Sequence, residues 1–275
     1  MNDPFKIIEP TCISFSGGRT SAYMLWRVLQ SNGGLPEDAV VCFANTGKED
    51  EATLKFIHDC ETNWQVPIKW LEWTSEKPMF KVVDFETAAR NGEPFEGCIR
   101  HYKKLPNPAQ RWCTGQLKIR TIHRYLRSLG WKHDENDNCD FVGIRADEPR
   151  RSAKMDIAKT PLVAAGITKA DINAFWSEQP FKLDLEIFMD EALLGNCDLC
   201  FLKSMDKKTN IVRMYPEKAE WWAKMERFVT EANPEHAGTG NLFRKDHPAY
   251  KSMYEFAKSQ TSLFGDESIA CFCGD

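Results

Sequence analysis

Apolar and polar positions in the first half of the chain switch repeatedly between a strand period and a helix period. Thr11–Phe15 is a short run of strand type, followed by a polar, glycine-bearing turn, Ser16–Ser21. Ala22–Leu29 then reads as a helix with Tyr23, Leu25, Trp26 and Leu29 on its apolar face, ended by Gly33, Gly34 and Pro36. Ala39–Ala44 is continuously apolar, as a fully buried strand is, Glu51–Asn63 reads as helix, and Val66–Trp73 as a third strand. This β-α-β-α-β order with short connections predicts a parallel sheet with helices on its faces.

The pattern then weakens. Pro78, Gly92, Pro94, Gly97, Pro106 and Pro108 interrupt residues 75–115, which predicts a long excursion with one short helix around Phe80–Arg90. Gln116–Leu129 reads as helix, Cys139–Ile144 as a fourth strand, and Arg145–Arg151 as a charged loop after it. Further on, helices are expected at Thr168–Ser177, Asp184–Leu193, Glu217–Ala232 and Pro248–Gln260, with the Trp221–Trp222 pair in a core. The expected organisation is an α/β domain over residues 1–165 and a helical part over 166–275.

Composition narrows the class. With 275 residues, 42% hydrophobic and 28% charged, the chain is of ordinary globular type; wholesale disorder, collagen and coiled coil are excluded. No run of about 18 apolar residues predicts a membrane helix, and no export signal is visible, so a cytoplasmic protein without a membrane partner is expected. The net charge of −4 hides an uneven distribution. Gly97–His133 holds no Asp or Glu but nine Lys or Arg, from Arg100 to Lys132. Such a block suits an anionic ligand and equally suits a solvated basic helix face.

Ten cysteines without an export signal point to metal, cluster or redox chemistry rather than a disulfide framework. Cys197 and Cys200 form a C-x-x-C, Cys271 and Cys273 a C-x-C, and Cys113 sits alone in the basic block, whereas Cys12, Cys42, Cys60 and Cys139 lie in or beside apolar runs and are expected in the core. Cys98, in the excursion, is either an ordinary loop thiol or a mobile nucleophile.

The turn after the first strand, with Ser14 at the strand's end and Ser16-Gly17-Gly18-Arg19-Thr20-Ser21 beyond it, has the chemistry of a phosphate cradle. Glycines let the backbone approach an anion, the N–H groups of the helix start face it, and hydroxyls add donors. It is neither a Walker A loop nor a G-x-G-x-x-G dinucleotide turn. An ordinary capped helix start fits the same six residues.

This segment resembles the S-G-G-x-x-S pyrophosphatase (PP) loop of the adenine nucleotide alpha hydrolases, in particular the phosphoadenosine phosphosulfate (PAPS) reductase-like family. Four more stretches fit in order: Phe43–Glu49; Arg111–Thr114 with Leu117–Ile119; Gly143–Glu148 with Arg150 and Arg151, similar to a G-x-R-x-x-E-x-x-R loop; and Asn196–Cys200. The resemblance spans about residues 11–203 and implies a Rossmann-like parallel sheet. It implies ATP with Mg2+, or PAPS, bound by the loop residues with Asn45, Thr46 and Gly143. Lys118, Arg145, Arg150 and Arg151 would stabilise developing charge, although Arg150 and Arg151 also suit a solvated pair. Cys113, Cys197 and Cys200, with Cys271 or Cys273, would supply four thiolates for a 4Fe–4S cluster, with zinc as the alternative. Cys273 is the candidate mobile nucleophile if it is not a ligand.

In this family ATP is split between its α and β phosphates to adenylylate a substrate, or a thiolate attacks an adenylyl sulfate. The tail, Cys271-Phe272-Cys273-Gly274-Asp275, lacks the full Glu-Cys-Gly motif of the reductases, and tandem cysteines are absent. That shifts the expectation to sulfur transfer, onto nucleic acid or a small acceptor, with a sulfur-donor protein and a homodimer as further partners. Phosphoadenylyl sulfate reduction is the alternative, and a nucleotide- or nucleic-acid-binding module without turnover is a third.

Overall fold

The computed structural model describes residues 3–131, 141–188, 191–234 and 241–264. The chain divides into two compact units: Met1–His101 with Trp112–Asp198, and Tyr102–Arg111 with Leu199–Asp275.

The first unit is α/β. In chain order it contains β1 (Thr11–Ser14), α1 (Arg19–Asn32), β2 (Ala39–Asn45), α2 (Glu51–Asn63), β3 (Ile68–Glu72), β4 (Lys81–Val83), α3 (Glu93–Tyr102), α4 (Arg120–Ser128), β5 (Phe141–Val142), α5 (Pro149–Ser152), α6 (Pro161–Ala164) and α7 (Lys169–Ser177), then a short hairpin of β6 (Ile187–Phe188) and β7 (Glu191–Ala192). The five-stranded sheet has the order β4-β3-β2-β1-β5 and is mostly parallel. β1 aligns Thr11 with Ala39 and Ile13 with Phe141, β2 aligns Val41 with Ile68, and only β4 runs antiparallel. Stepping from β1 to β2 to β3 moves the chain one way across the sheet, so right-handed crossovers put α1 and α2 on the same face. Met24, Leu25 and Val28 of α1 and Leu54, Phe56 and Ile57 of α2 are buried there with Phe43 and Trp70. Cys12 and Cys42 pack on the other side with Ile122, Tyr125 and Leu126 of α4.

Three sequence expectations are corrected. Phe80–Arg90 is not a helix: Lys81–Val83 adds a strand to β3, and Asp84 closes a turn by accepting from Thr87 N and Oγ1. The helix of this stretch comes later, as α3. Asp184–Leu193 is the β6–β7 hairpin, closed by a Leu193 N to Glu186 carbonyl bond of 2.8 Å. Cys98 is no loop thiol: it is fully buried in α3, and burial together with Cys113 pushes its pKa up, the opposite of what a nucleophile requires.

The second unit is helical, with α8 (Met205–Met214), α9 (Glu217–Ala232) and α10 (Tyr250–Phe264). Its core centres on Trp222, which lies 5.3 Å from Tyr250 and 4.8 Å from Phe243 between ring centroids. Tyr250 Oη donates to the Leu199 carbonyl at 2.6 Å, which anchors the segment bearing Cys200. Among the described residues, no helix is long and apolar enough to cross a membrane.

Candidate functional site

In a parallel sheet the turns at the carboxyl ends of the strands lie together, and here they bring together residues far apart in sequence. The Ser16–Ser21 turn leaves β1 at this edge. Gly17 has a φ of +74°, and a Cβ there would stand 2.7 Å from Thr53 Cγ2, so only glycine fits between the turn and α2. Gly18 is the residue before α1; a Cβ there would meet nothing nearer than Ser16 Oγ at 3.7 Å, which leaves the space over the helix start open. Ser21 Oγ accepts from Ser16 N at 3.1 Å and donates to the Gly18 carbonyl at 3.0 Å. The Ser16 hydroxyl, 3.0 Å from Ser21 Oγ, sits on an exposed residue. Trp176 of α7 donates its indole N–H to the Arg19 carbonyl at 3.0 Å, fixing the first residue of α1 from outside the loop.

The end of β5 closes on this turn. A Cβ on Gly143 would lie 3.0 Å from Ser21 Cα and 3.2 Å from Ser21 N, so the two backbones touch. Two residues on, Arg145 Nη1 donates to Thr20 Oγ1 at 3.4 Å. Arg145 is also held by Asp147 at 2.8 Å and Glu148 at 3.6 Å, and Glu148 takes Arg151 at 2.6 Å. Bonds from Arg151 and from the Arg145 N–H outweigh burial and lower the Glu148 pKa. A phosphate arriving at Thr20 therefore meets a guanidinium already aimed at the loop. Arg150 is exposed on α5.

After β2, the Thr46–Glu49 turn builds the other wall. Asn45 is fully buried, and its carboxamide is occupied: Nδ2 donates to Glu72 Oε1 at 2.7 Å and to the Ala89 carbonyl at 2.9 Å, while Oδ1 accepts from Gly47 N at 3.0 Å. Asn45 thus shapes the turn from within. Thr46 gives both its N–H (2.9 Å) and its Oγ1–H (2.7 Å) to Glu49 Oε2. The other oxygen, Glu49 Oε1, faces Lys118 Nζ at 3.5 Å. Lys118 reaches this place from a π-helical segment, Thr114–Ile119, that directly follows Cys113; such segments often mark functional positions. Burial disfavours the charged form of Lys118, but Glu49, Cys197 and Cys113 together outweigh it and hold its pKa above the ordinary value.

The C-x-x-C reaches the same wall through its first cysteine. Cys197 forms a β-bridge with Glu49, its Sγ lies 3.6 Å from Thr46 Oγ1, and Asp198 N donates to the Lys48 carbonyl at 2.8 Å. An ion pair clamps the join: Lys48 Nζ lies 2.9 Å from Asp198 Oδ2, and their side chains are only 7% and 6% exposed.

The carboxyl edge of the first unit thus collects Ser16–Ser21, Asn45, Thr46, Gly143, Arg145, Lys118, Cys113 and Cys197. Cys200 belongs to the second unit, and Cys271 and Cys273 lie outside the described residues. Among the described residues no group of three or more His, Cys, Asp or Glu side chains is arranged to hold a metal ion. The described residues therefore do not by themselves fit a cluster, and no chemical step is derived through one. The basic block is likewise divided: Lys103, Lys104 and Arg111 belong to the second unit, Lys118, Arg120, Arg124 and Arg127 to the first, and Arg100 pairs with Glu96 at 2.8 Å.

Sequence reasoning passed over Glu49 and the Lys48–Asp198 pair. The signal for Glu49 was present as Thr46-x-x-Glu49, the spacing at which a carboxylate reaches back to a threonine and its N–H. No local signal marks Lys48 and Asp198, which are 150 residues apart in sequence.

No family model and no solved structure matches the chain. It is 29% identical over 203 residues to an uncharacterized nin region protein of Escherichia phage lambda, covering 71% of this chain and 67% of that protein. It is 26% identical over 242 residues to an uncharacterized protein of Methanocaldococcus jannaschii, covering 82% of this chain; the chain spans 43% of that relative's length.

Proposed function

We propose that this protein is a PP-loop enzyme of the adenine nucleotide alpha hydrolase type, with the Rossmann-like fold of that group. It binds ATP with Mg2+ at the carboxyl edge and adenylylates a substrate, releasing pyrophosphate. The observation that supports this most is the Ser16–Ser21 turn itself. Gly18 leaves the helix start open, Gly17 and Gly143 allow close packing around the turn, and Arg145 is aimed at Thr20. Open N–H groups at a helix start with a fixed guanidinium beside them suit a polyphosphate.

On the opposite wall, Lys118 and Cys197 lie around Thr46, a placement that suits transfer of sulfur once the acceptor is activated. The acceptor is nucleic acid or a small molecule. The iron–sulfur cluster stays in the proposal as what the cysteine spacing and the family resemblance imply, with Cys113, Cys197, Cys200 and one of Cys271 and Cys273 as its expected ligands. Iron, sulfide and zinc analysis on anaerobically purified protein tests that part: about four iron and four sulfide per chain are expected, and metal-free, colourless protein removes it.

Product analysis tests the reaction class. ATP, a pool of candidate acceptors and a sulfide donor should give AMP and pyrophosphate in equal amounts, pyrophosphate on adenylylation and AMP when sulfur displaces it. ADP and phosphate in their place would overturn α–β cleavage. Sulfite and adenosine 3′,5′-bisphosphate from PAPS, with no pyrophosphate from ATP, would favour thiol-dependent reduction.

A further inference from the structure

The opposite, amino edge of the sheet carries a feature that the phosphate loop does not use. There the chain leaves α1 at Gly33 and α2 at Trp64, and the ends of these neighbouring helices enclose a half-open cleft of about 390 Å3. Two indoles, Trp26 and Trp64, line it with the carboxamides of Gln30, Asn63 and Gln65. Leu29, Leu35 and the backbone at Gly33 and Gly34 complete the lining; a Cβ at Gly34 would meet nothing within 4 Å. The lining contains no Lys, Arg, Asp or Glu.

The indoles are fixed platforms. Trp26 packs on Phe175 at 4.7 Å between centroids, and Trp64 on Phe181 at 5.8 Å and Trp176 at 6.1 Å. Each is held by the core before any ligand arrives, so little side-chain freedom is lost on binding.

We propose that this cleft is a second ligand site, which takes an uncharged nucleobase as the free base or nucleoside. Indole faces stack on any base. The Gln30 and Gln65 carboxamides each offer a donor and an acceptor side by side, the pattern a base edge presents, while the Asn63 amide already donates to the Asp59 carbonyl at 2.8 Å. The absent charges exclude a nucleic-acid backbone, which finds no cation in the lining. A cleft of about 390 Å3 has room for one ring system. The site is built from the C-terminal ends of α1 and α2 and the residues that follow them, and does not depend on the phosphate-loop reading.

The test uses the full chain with 15N-labelled tryptophan, the Trp26 and Trp64 indole signals being assigned through Trp26→Phe and Trp64→Phe. Adenosine, guanosine, cytidine and uridine are titrated singly, alongside maltose and a proline-rich peptide. At least one nucleoside should shift these two signals saturably, with the same affinity at low and high salt. Gln30→Glu with Gln65→Glu should weaken that affinity about tenfold or more, with Tm unchanged. Three results would overturn the proposal: no nucleoside moves either signal, maltose or the peptide saturates the cleft in its place, or the double variant binds as the parent does. Because the reporters sit at the amino edge, none of these outcomes depends on whether the protein cleaves ATP.

Discussion

Replacing Asp198 with alanine removes one half of a buried ion pair and leaves Lys48 charged in a site where its side chain is 7% exposed. At 2.9 Å, with both partners largely shielded, the pair is far from the surface case that contributes about 0–1 kcal/mol. Removing one partner of a buried pair costs about 3–5 kcal/mol. At about 1.4 kcal/mol per tenfold, the folded population should fall by about two to three and a half orders of magnitude relative to the unfolded. Urea unfolding followed by tryptophan fluorescence reads the loss. The double variant Lys48→Met with Asp198→Leu should recover most of it, since apolar side chains of similar volume then fill the buried place of the pair. Alkylation adds a local readout: Asp198 holds the Cys197 segment against Glu49, so iodoacetamide should modify Cys197 faster in Asp198→Ala. A cost under about 1 kcal/mol with unchanged alkylation would show that the pair is not the clamp described.

Gly143→Ala places a methyl 3.0 Å from Ser21 Cα, so the loop must shift; about 1–3 kcal/mol of stability and at least tenfold in nucleotide affinity should be lost, and a neutral result would refute the close approach. Glu49→Gln keeps an acceptor for Thr46 but turns an amide donor toward Lys118; the Lys118 pKa, read by 13C NMR at Cε, should fall, and an unmoved value would remove Glu49 from its control. In the second unit, burial raises Glu226 to a pKa of about 7, despite bonds from Tyr250 N and Phe243 N. The folded chain therefore holds more protons than the unfolded one between the ordinary carboxylate range and about 7, and stability falls as pH rises through that window. Glu226→Gln should flatten the slope in denaturation measured across it, and a slope retained in the variant would assign it to another group.

The sheet and the loop were legible because they depend on local pattern. β1, the Ser16–Ser21 turn and α1 follow one another with clear changes of period, and the Glu51–Asn63 expectation coincides with α2, where Asp50 caps the helix by accepting from Ala52 N. Errors fell where long-range contacts override local preference. α8 went unread because its apolar stripe of Ile211 and Val212 is completed by Lys208, a lysine fully buried over the Tyr250 ring. β4 is three residues long and owes its place to pairing with β3, which no window of sequence contains. In the site, Ser16 was named from its residue type and its place in the turn, and Arg145, Asn45 and Gly143 from what the family resemblance implies. The carboxylates behind the turn were not named. Glu49 and Glu72 are buried carboxylates, and what distinguishes them from surface acids is the donors that converge on them in the folded chain.

The account rests on the Ser16–Ser21 turn as a phosphate cradle, and equilibrium binding of ATP to the variant Ser16→Ala with Gly18→Ala tests it most directly. Neither substitution meets a wall in the fold, since a Cβ at Gly18 has open space and Ser16 is exposed. Circular dichroism and Tm should therefore match the parent, while ATP affinity should fall beyond detection as methyl groups replace a donor and fill the cradle. A parent that binds ATP and a folded variant that binds it equally well would contradict the central claim.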